Sequence, residues 1–260
     1  MLELRSLRKV FYEDRRSRSN PLLVFSNVTF VVPKNQFVCL LGPSGCGKTT
    51  LIRIIAGLIS PDGGEVLVEG KRVTAPGMDR SMVFQNYGLL PWRTVMGNVE
   101  LGLEIRRMGM AERRAICQRY IEKVELHGFE DRYPHQLSGG MQQRVALARA
   151  LSKDPKILLM DEPFASVDMQ TRETLQEELL KIWSTTDTTV LFITHSIEEA
   201  IYLGDRVLVM GPRPSQMRRD VPIDLPRPRY TYDAKSSPRF GELRGIVHDA
   251  MREGQLSALG

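Results

Sequence analysis

The sequence predicts an α/β fold built on a buried sheet, interrupted by a helical insertion. Three observations carry this expectation. Short apolar runs suited to buried strands recur at 37–41, 81–84, 157–160, 189–194 and 206–210. From 95 to 151 the texture becomes helical, with Ile116, Tyr120, Ile121 and Val124 on one amphipathic face. And the run at 37–41 leads directly into a glycine-rich loop and then a helical pattern of Leu51, Ile54, Ile55 and Leu58.

In chain order, alternation over 23–32 predicts a strand that stops at Pro33. Ser60-Pro61-Asp62-Gly63-Gly64 is a turn, followed by a strand over 65–69. A single domain over 1–260 accommodates these elements: an α/β core from 1–85 and 154–211, and a helical insertion over 86–153. Residues 212–260, rich in proline and arginine near their start, read as an extended tail with a short helix at 240–251. No internal repeat is visible.

The chain has 260 residues, 42% of them hydrophobic and 26% charged, which suits a packed soluble domain. No apolar run approaches the ~20 residues that span a bilayer, and the first residues lack the apolar stretch of a secretory signal. A cytosolic protein is therefore expected. Cys39, Cys46 and Cys117 are too few and scattered for a disulfide framework or a metal cluster. Cys39 reads as a buried strand residue. Cys46 is either an inert packing residue or a thiolate favoured by nearby amides and Lys48. A net charge of +5, concentrated at Arg15-Arg16-Ser17-Arg18 and between Arg213 and Arg229, permits an anionic partner. No aromatic-interleaved basic motif accompanies it, so nucleic acid is not expected.

Gly42-Pro43-Ser44-Gly45-Cys46-Gly47-Lys48-Thr49-Thr50 is a complete GxxxxGK[ST] phosphate-binding loop, placed between strand and helix as its mechanism requires. Gly42, Gly45 and Gly47 let backbone amides approach phosphate oxygens, and the positive end of the following helix adds to the anion site. Lys48 reaches the β- and γ-phosphates of a nucleoside triphosphate, and the Thr49 hydroxyl ligates Mg²⁺. The run 157–160 ends in Asp161-Glu162, which a buried parallel strand delivers to the carboxyl edge of its sheet. Asp161 is then a Mg²⁺ ligand and Glu162 the general base on the attacking water.

Ser138 is a good helix N-cap, and Gly139-Gly140 leave the first amides of that helix open to an anion. A plain capped helix would explain these residues equally well. Residues 137–151, LSGGMQQRVALARAL, resemble the signature segment of ATP-binding-cassette (ABC) ATPases. With the phosphate loop, Gln85, the acidic pair and His195, the resemblance covers nearly the whole chain. It implies a P-loop NTPase core with an inserted helical subdomain and an N-terminal antiparallel β subdomain. It implies a head-to-tail dimer holding two ATP molecules, in which the phosphate loop of one copy faces Ser138 and Gly140 of the other. Gln85 then reaches Mg²⁺ and water. Asp168, in a segment resembling the D-loop, touches the opposite site, and His195 resembles the switch histidine that contacts the γ-phosphate. Phe11 stands where an aromatic stacks on adenine, with Tyr12 the alternative, because 14–21 looks like an insertion that blurs the register. Met141 replaces a common Gln, and Asn35-Gln36 a common Gly-Glu; neither removes a catalytic group.

Leu89-Leu90-Pro91-Trp92-Arg93-Thr94-Val95 and Asp224-Leu225-Pro226-Arg227-Pro228-Arg229 resemble the nitrate/sulfonate/taurine import ATPases. That implies the cytoplasmic face of the cell membrane, separate membrane subunits docking near Tyr87, Leu89, Leu90 and Trp92, and a solute-binding protein met only indirectly. These apolar residues could also be core. Importers of bicarbonate, aromatic acids or vitamin precursors are the nearest alternatives. A DNA- or ribosome-acting ABC ATPase is the alternative from another class; neither a coiled-coil insertion nor a second cassette is present to favour it. The solute does not touch this chain, so the sequence does not name it.

Overall fold

A computed structural model describes residues 1–14, 19–165 and 167–256. The basic cluster Arg15-Arg16-Ser17-Arg18, and Ser166 of the D-loop-like segment, lie outside them. In chain order the elements are β1 (Leu2–Asp14), β2 (Ser19–Val32), β3 (Phe37–Leu41), α1 (Lys48–Ile55), β4 (Gly63–Val68), β5 (Lys71–Arg72), β6 (Arg80–Val83), α2 (Val95–Ile105), α3 (Met110–Lys123), α4 (Gly139–Leu151), β7 (Ile157–Asp161), α5 (Met169–Trp183), β8 (Thr189–Ile193), α6 (Ile197–Leu203), β9 (Arg206–Met210), β10 (Met217–Pro222) and α7 (Pro238–Leu256). Among the described residues no helix is long and apolar enough to cross a membrane.

The chain divides into two units, Met1–Gly77 with Thr189–Gly260, and Met78–Thr188. In the first, β2, β1, β4 and β5 form an antiparallel sheet in that order. Leu2 and Leu4 of β1 are buried while Arg5 is exposed, the alternation of a strand with one face on the core. At the ends of the segment that looks inserted the β1–β2 pairing continues, with Tyr12 opposite Pro21 and Asp14 opposite Ser19. In the same unit β3 pairs in parallel with β8 on one side and β9 on the other. Every residue of β3 and β8 is buried, which is why both read as continuous apolar runs rather than alternating ones. The second unit contains the parallel pair β6 and β7 and the helices α2, α3, α4 and α5. Val99, Leu103, Cys117, Ile121, Val145 and Ala148 are buried among those helices.

The described part of the C-terminal segment, residues 212–256, departs from expectation. It does not form an extended tail. β10 pairs antiparallel with β9, and the helix expected over 240–251 is α7, 19 residues long. Val221, Ile223 and Leu225 are buried, as are Phe240, Leu243, Val247 and Ala250 at helical spacing. Two of the arginines that suggested a solvated basic edge, Arg227 and Arg229, work inside the fold, while Arg213, Arg218 and Arg219 are exposed. Arg227 pairs with Asp205 at 2.7 Å, whose other carboxylate oxygen accepts the Phe37 amide at the start of β3 (2.8 Å). Arg229 is 1% exposed. Its guanidinium donates to the carbonyls of Ile201, Tyr202 and Gly204 at 2.7–3.0 Å and, more weakly, to those of Ile223 and Leu225. Burial lowers its pKa to about 10. The three short bonds satisfy carbonyls at the C-terminal end of α6, which a helix leaves without internal partners.

Arg229→Met keeps an apolar stem but strands those carbonyls in the core. A loss of about 3 kcal/mol or more is expected, at 1–3 kcal/mol for each buried group left unsatisfied. Calorimetry should show the melting temperature falling by roughly 6–12 °C.

Candidate active site

In the first unit the phosphate loop leaves β3 at Gly42 and closes into α1. Gly45 and Gly47 have φ of 76° and 102°, the left-handed region that glycine enters without a Cβ penalty. A β-carbon at Gly47 would also collide with Val24 of β2, so position 47 is fixed by packing as well as by dihedral angle. At Gly42 a β-carbon would lie 2.9 Å from the Cys46 Sγ and 3.0 Å from the Met210 carbonyl oxygen. Gly47 is the N-cap of α1 and makes no side-chain cap, leaving the first amides of the helix for an anion. Lys48 is buried, and its Nζ donates to the carbonyls of Gly42 (2.8 Å) and Pro43 (3.1 Å), folded against its own loop. Ser44 and Gly45 are exposed; Pro43, Thr49 and Thr50 are half-buried.

Cys46 is 1% exposed and resolves the choice left open by the sequence. Burial raises its pKa, outweighing the opposing pull of Lys48, so the thiol is a packing residue and not an activated thiolate. Its carbonyl accepts the Ser215 hydroxyl at 2.5 Å, and the Ser215 amide donates to the Val24 carbonyl at 2.9 Å. This brace from the β9–β10 turn escaped the sequence reading. Ser215 lies 169 residues beyond Cys46, and nothing local to it signals a partner.

β8 runs parallel to β3 with Ile193 opposite Leu40, so His195 leaves the same sheet edge as the phosphate loop. The His195 side chain is exposed; Ser196 behind it caps α6 by accepting the Glu199 amide at 3.2 Å. Phe11 and Tyr12 are half-buried on β1, Phe11 opposite Leu22, and the Lys9 ammonium lies 5.3 Å from the Phe11 ring centre.

The second unit repeats the edge geometry. β6 and β7 are parallel, with Val83 opposite Met160, so Gln85 and the Asp161-Glu162 pair emerge at one end. Gln85 is exposed, Asp161 buried and Glu162 half-buried. Glu162 has φ of 50°, a conformation that costs a non-glycine residue about 1–3 kcal/mol and that clusters at functional sites. Ser138 caps α4, its Oγ accepting the Met141 amide at 3.3 Å. Gly139 is exposed, and a β-carbon at Gly140 would press on Thr171 of α5 at 2.9 Å. Asp168 caps α5 by accepting the Thr171 amide at 3.0 Å, and that bond holds its carboxyl below the usual range. The apolar group after Gln85 splits: Tyr87 is buried, Leu89 and Leu90 are half-buried, and Trp92 is 71% exposed.

The family described as ABC transporter matches residues 25–165. An uncharacterized ABC transporter ATP-binding protein of Methanocaldococcus jannaschii is 50% identical over 99% of this chain and 94% of its own length. A nitrate import ATP-binding protein of Synechocystis is 44% identical, with 96% of this chain and 95% of the relative covered. An aliphatic sulfonates import ATP-binding protein of Bacillus cereus is 42% identical over 94% of each. Among solved structures, a dimeric post-hydrolysis ATP-binding cassette bound to ADP and Pi superposes with a TM-score of 0.74 at 31% identity, over 86% of this chain and 99% of that one. Because the likeness runs from the N-terminal sheet through the strand-end acids and beyond, the chain belongs to the ABC transporter family as an ATP-binding subunit that hydrolyses ATP.

Proposed function

We propose that this subunit drives an importer for a small anion of the nitrate, sulfonate or taurine type, acting through separate membrane subunits. The observation that carries this reading is its likeness to nitrate and sulfonate import proteins over 96% and 94% of the chain. The segments 89–95 and 224–229 point the same way.

Lys48 and the loop amides of residues 42–50 hold the β- and γ-phosphates. Thr49, Gln85 and Asp161 offer hydroxyl, amide and carboxylate oxygens, a hard donor set that fits Mg²⁺. Asp161 is 6% exposed, and a carboxylate that buried suits a cation ligand. When bound, the ion neutralises charge on the phosphates during transfer. Gln85 orients the attacking water, Glu162 accepts its proton, and His195 contacts the γ-phosphate and steadies Glu162. Phe11 stacks on the adenine. A second copy, head to tail, offers Ser138, Gly139 and Gly140 to the nucleotide on the first, with Asp168 at the same interface. The exposure of Ser138 and Gly139 and the dimeric state of the solved cassettes support that pairing. Residues 86–153 act as the helical subdomain and 212–260 as a C-terminal extension of one ABC ATPase domain. The protein sits peripherally on the cytoplasmic face of the membrane, with Leu90 and Trp92 receiving a permease helix and the solute-binding protein coupled only through the permease. No nucleic-acid partner is invoked.

Glu162→Gln should bind ATP normally and lose ~10²- to 10⁴-fold in turnover, because an amide cannot take the proton from water. Single-turnover hydrolysis near the wild-type rate would remove Glu162 from this role. Lys48→Ala should weaken MgATP binding itself, and His195→Ala should slow hydrolysis while sparing binding; equilibrium titration separates the two.

Trp92→Ser should leave the melting point nearly unchanged, since substitutions at exposed positions usually stay within about 0.5 kcal/mol. Together with Leu90→Ser it should reduce co-purification with the membrane subunits and uncouple ATP hydrolysis from uptake. Intact assembly by the double variant would place docking elsewhere.

A further inference from the structure

The turn joining β9 to β10 is closed by the Gly211 amide on the Gln216 carbonyl (3.0 Å) and pinned to the phosphate loop through Ser215, which is fully buried. Two residues before Ser215 stands Arg213, exposed at the tip of that turn. Pro214 disfavours helical angles at Arg213, which sets the direction of its Cα–Cβ bond. The guanidinium lies against Gly45: a β-carbon there would sit 2.9 Å from Nη2 and 3.9 Å from Cζ. Position 45 is kept free of a side chain by its dihedral angle, and the guanidinium occupies the space beside it. The charge is felt by the loop, since Arg213 pulls the Cys46 thiol down, though less than burial and Lys48 act on it.

No carboxylate among the described residues pairs with Arg213. A purely bracing role is already filled by Ser215, whose hydroxyl and amide hold the loop without a charge. An unengaged guanidinium beside amides arranged for an anion is suited to phosphate, which it can grip through two parallel N–H donors.

We infer that Arg213 contacts the nucleotide phosphates as a second cation beside Lys48, supplied by the C-terminal part of the chain. This rests on the phosphate loop being the nucleotide site. Arg213 adds to ground-state binding of the polyphosphate and takes no proton, so its effect belongs in affinity and KM and not in kcat.

The test titrates the full-length protein with MgATP, MgADP and adenosine, comparing wild type with Arg213→Ala, Arg213→Lys, Ser215→Ala and Lys48→Ala. Arg213→Ala should weaken ATP and ADP about tenfold or more, as expected for loss of a charge-assisted contact. Adenosine affinity and kcat at saturating ATP should hold, and Arg213→Lys should recover most of the loss. Ser215→Ala should lower the melting temperature, marking the bracing role apart from the phosphate contact. Arg213→Ala binding ATP within twofold of wild type, while Lys48→Ala loses it, would overturn the inference and leave the nucleotide site standing. An equal loss for adenosine would overturn it too, by showing that Arg213 acts through the fold. If Lys48→Ala also bound ATP as wild type does, the nucleotide site itself would be misassigned.

Discussion

A loop that surrounds an anion with backbone amides has few side chains of its own to hold its shape, here chiefly Lys48 on the Gly42 and Pro43 carbonyls, so most of its geometry must be imposed from its ends and its back. β3 supplies one end. It is buried on every residue between β8 and β9, and its first amide is fixed by Asp205, which Arg227 holds in turn. The back is supplied by Val24 under Gly47 and by Ser215 on the Cys46 carbonyl. None of these contacts is strong alone, and each is local to the shape that the amides need. The last fifth of the chain is therefore part of the apparatus that shapes the glycine-rich loop.

Glu162 shows the same dependence at a different element. Its left-handed backbone comes one residue after β7, whose every side chain is buried. A strand so enclosed leaves the turn beyond it little freedom to relax. The rigidity of β7 is what allows a strained residue to persist at this strand end.

Much of this was legible in the sequence. The buried parallel strands announced themselves as short apolar runs, and the phosphate loop by spacing and by its place between strand and helix. The placement of Asp161 and Glu162 at the end of β7 was legible because a strand end has a defined edge. What was not legible depended on distant partners. Arginine among prolines reads as solvated, yet Arg227 and Arg229 serve Asp205 and the end of α6, and composition cannot distinguish a charge that meets water from one that meets carbonyls. Cys46 was ambiguous for a related reason: proximity to Lys48 and depth of burial pull its thiol in opposite directions, and only the packing decides. Tyr87 and Trp92 stand five positions apart in one apolar group, but one is buried and the other exposed, because hydropathy does not report which way a turn faces.

The split of the first unit between the two ends of the chain has a consequence for synthesis. Residues 1–77 leave the ribosome carrying the whole phosphate loop, but β8, β9, the Ser215 brace and the Arg229 cap follow only after all of Met78–Thr188 has been made. At ~5–20 residues per second, the intervening ~110 residues take roughly 5–20 s. Through that interval β3 carries an apolar flank with neither of its parallel neighbours, the kind of unpaired edge that invites aggregation. The second unit, contiguous in sequence, has all its strands and helices in hand before the first is complete. Nascent-chain protection for this subunit is thus a matter of sheltering one strand until the distal half arrives.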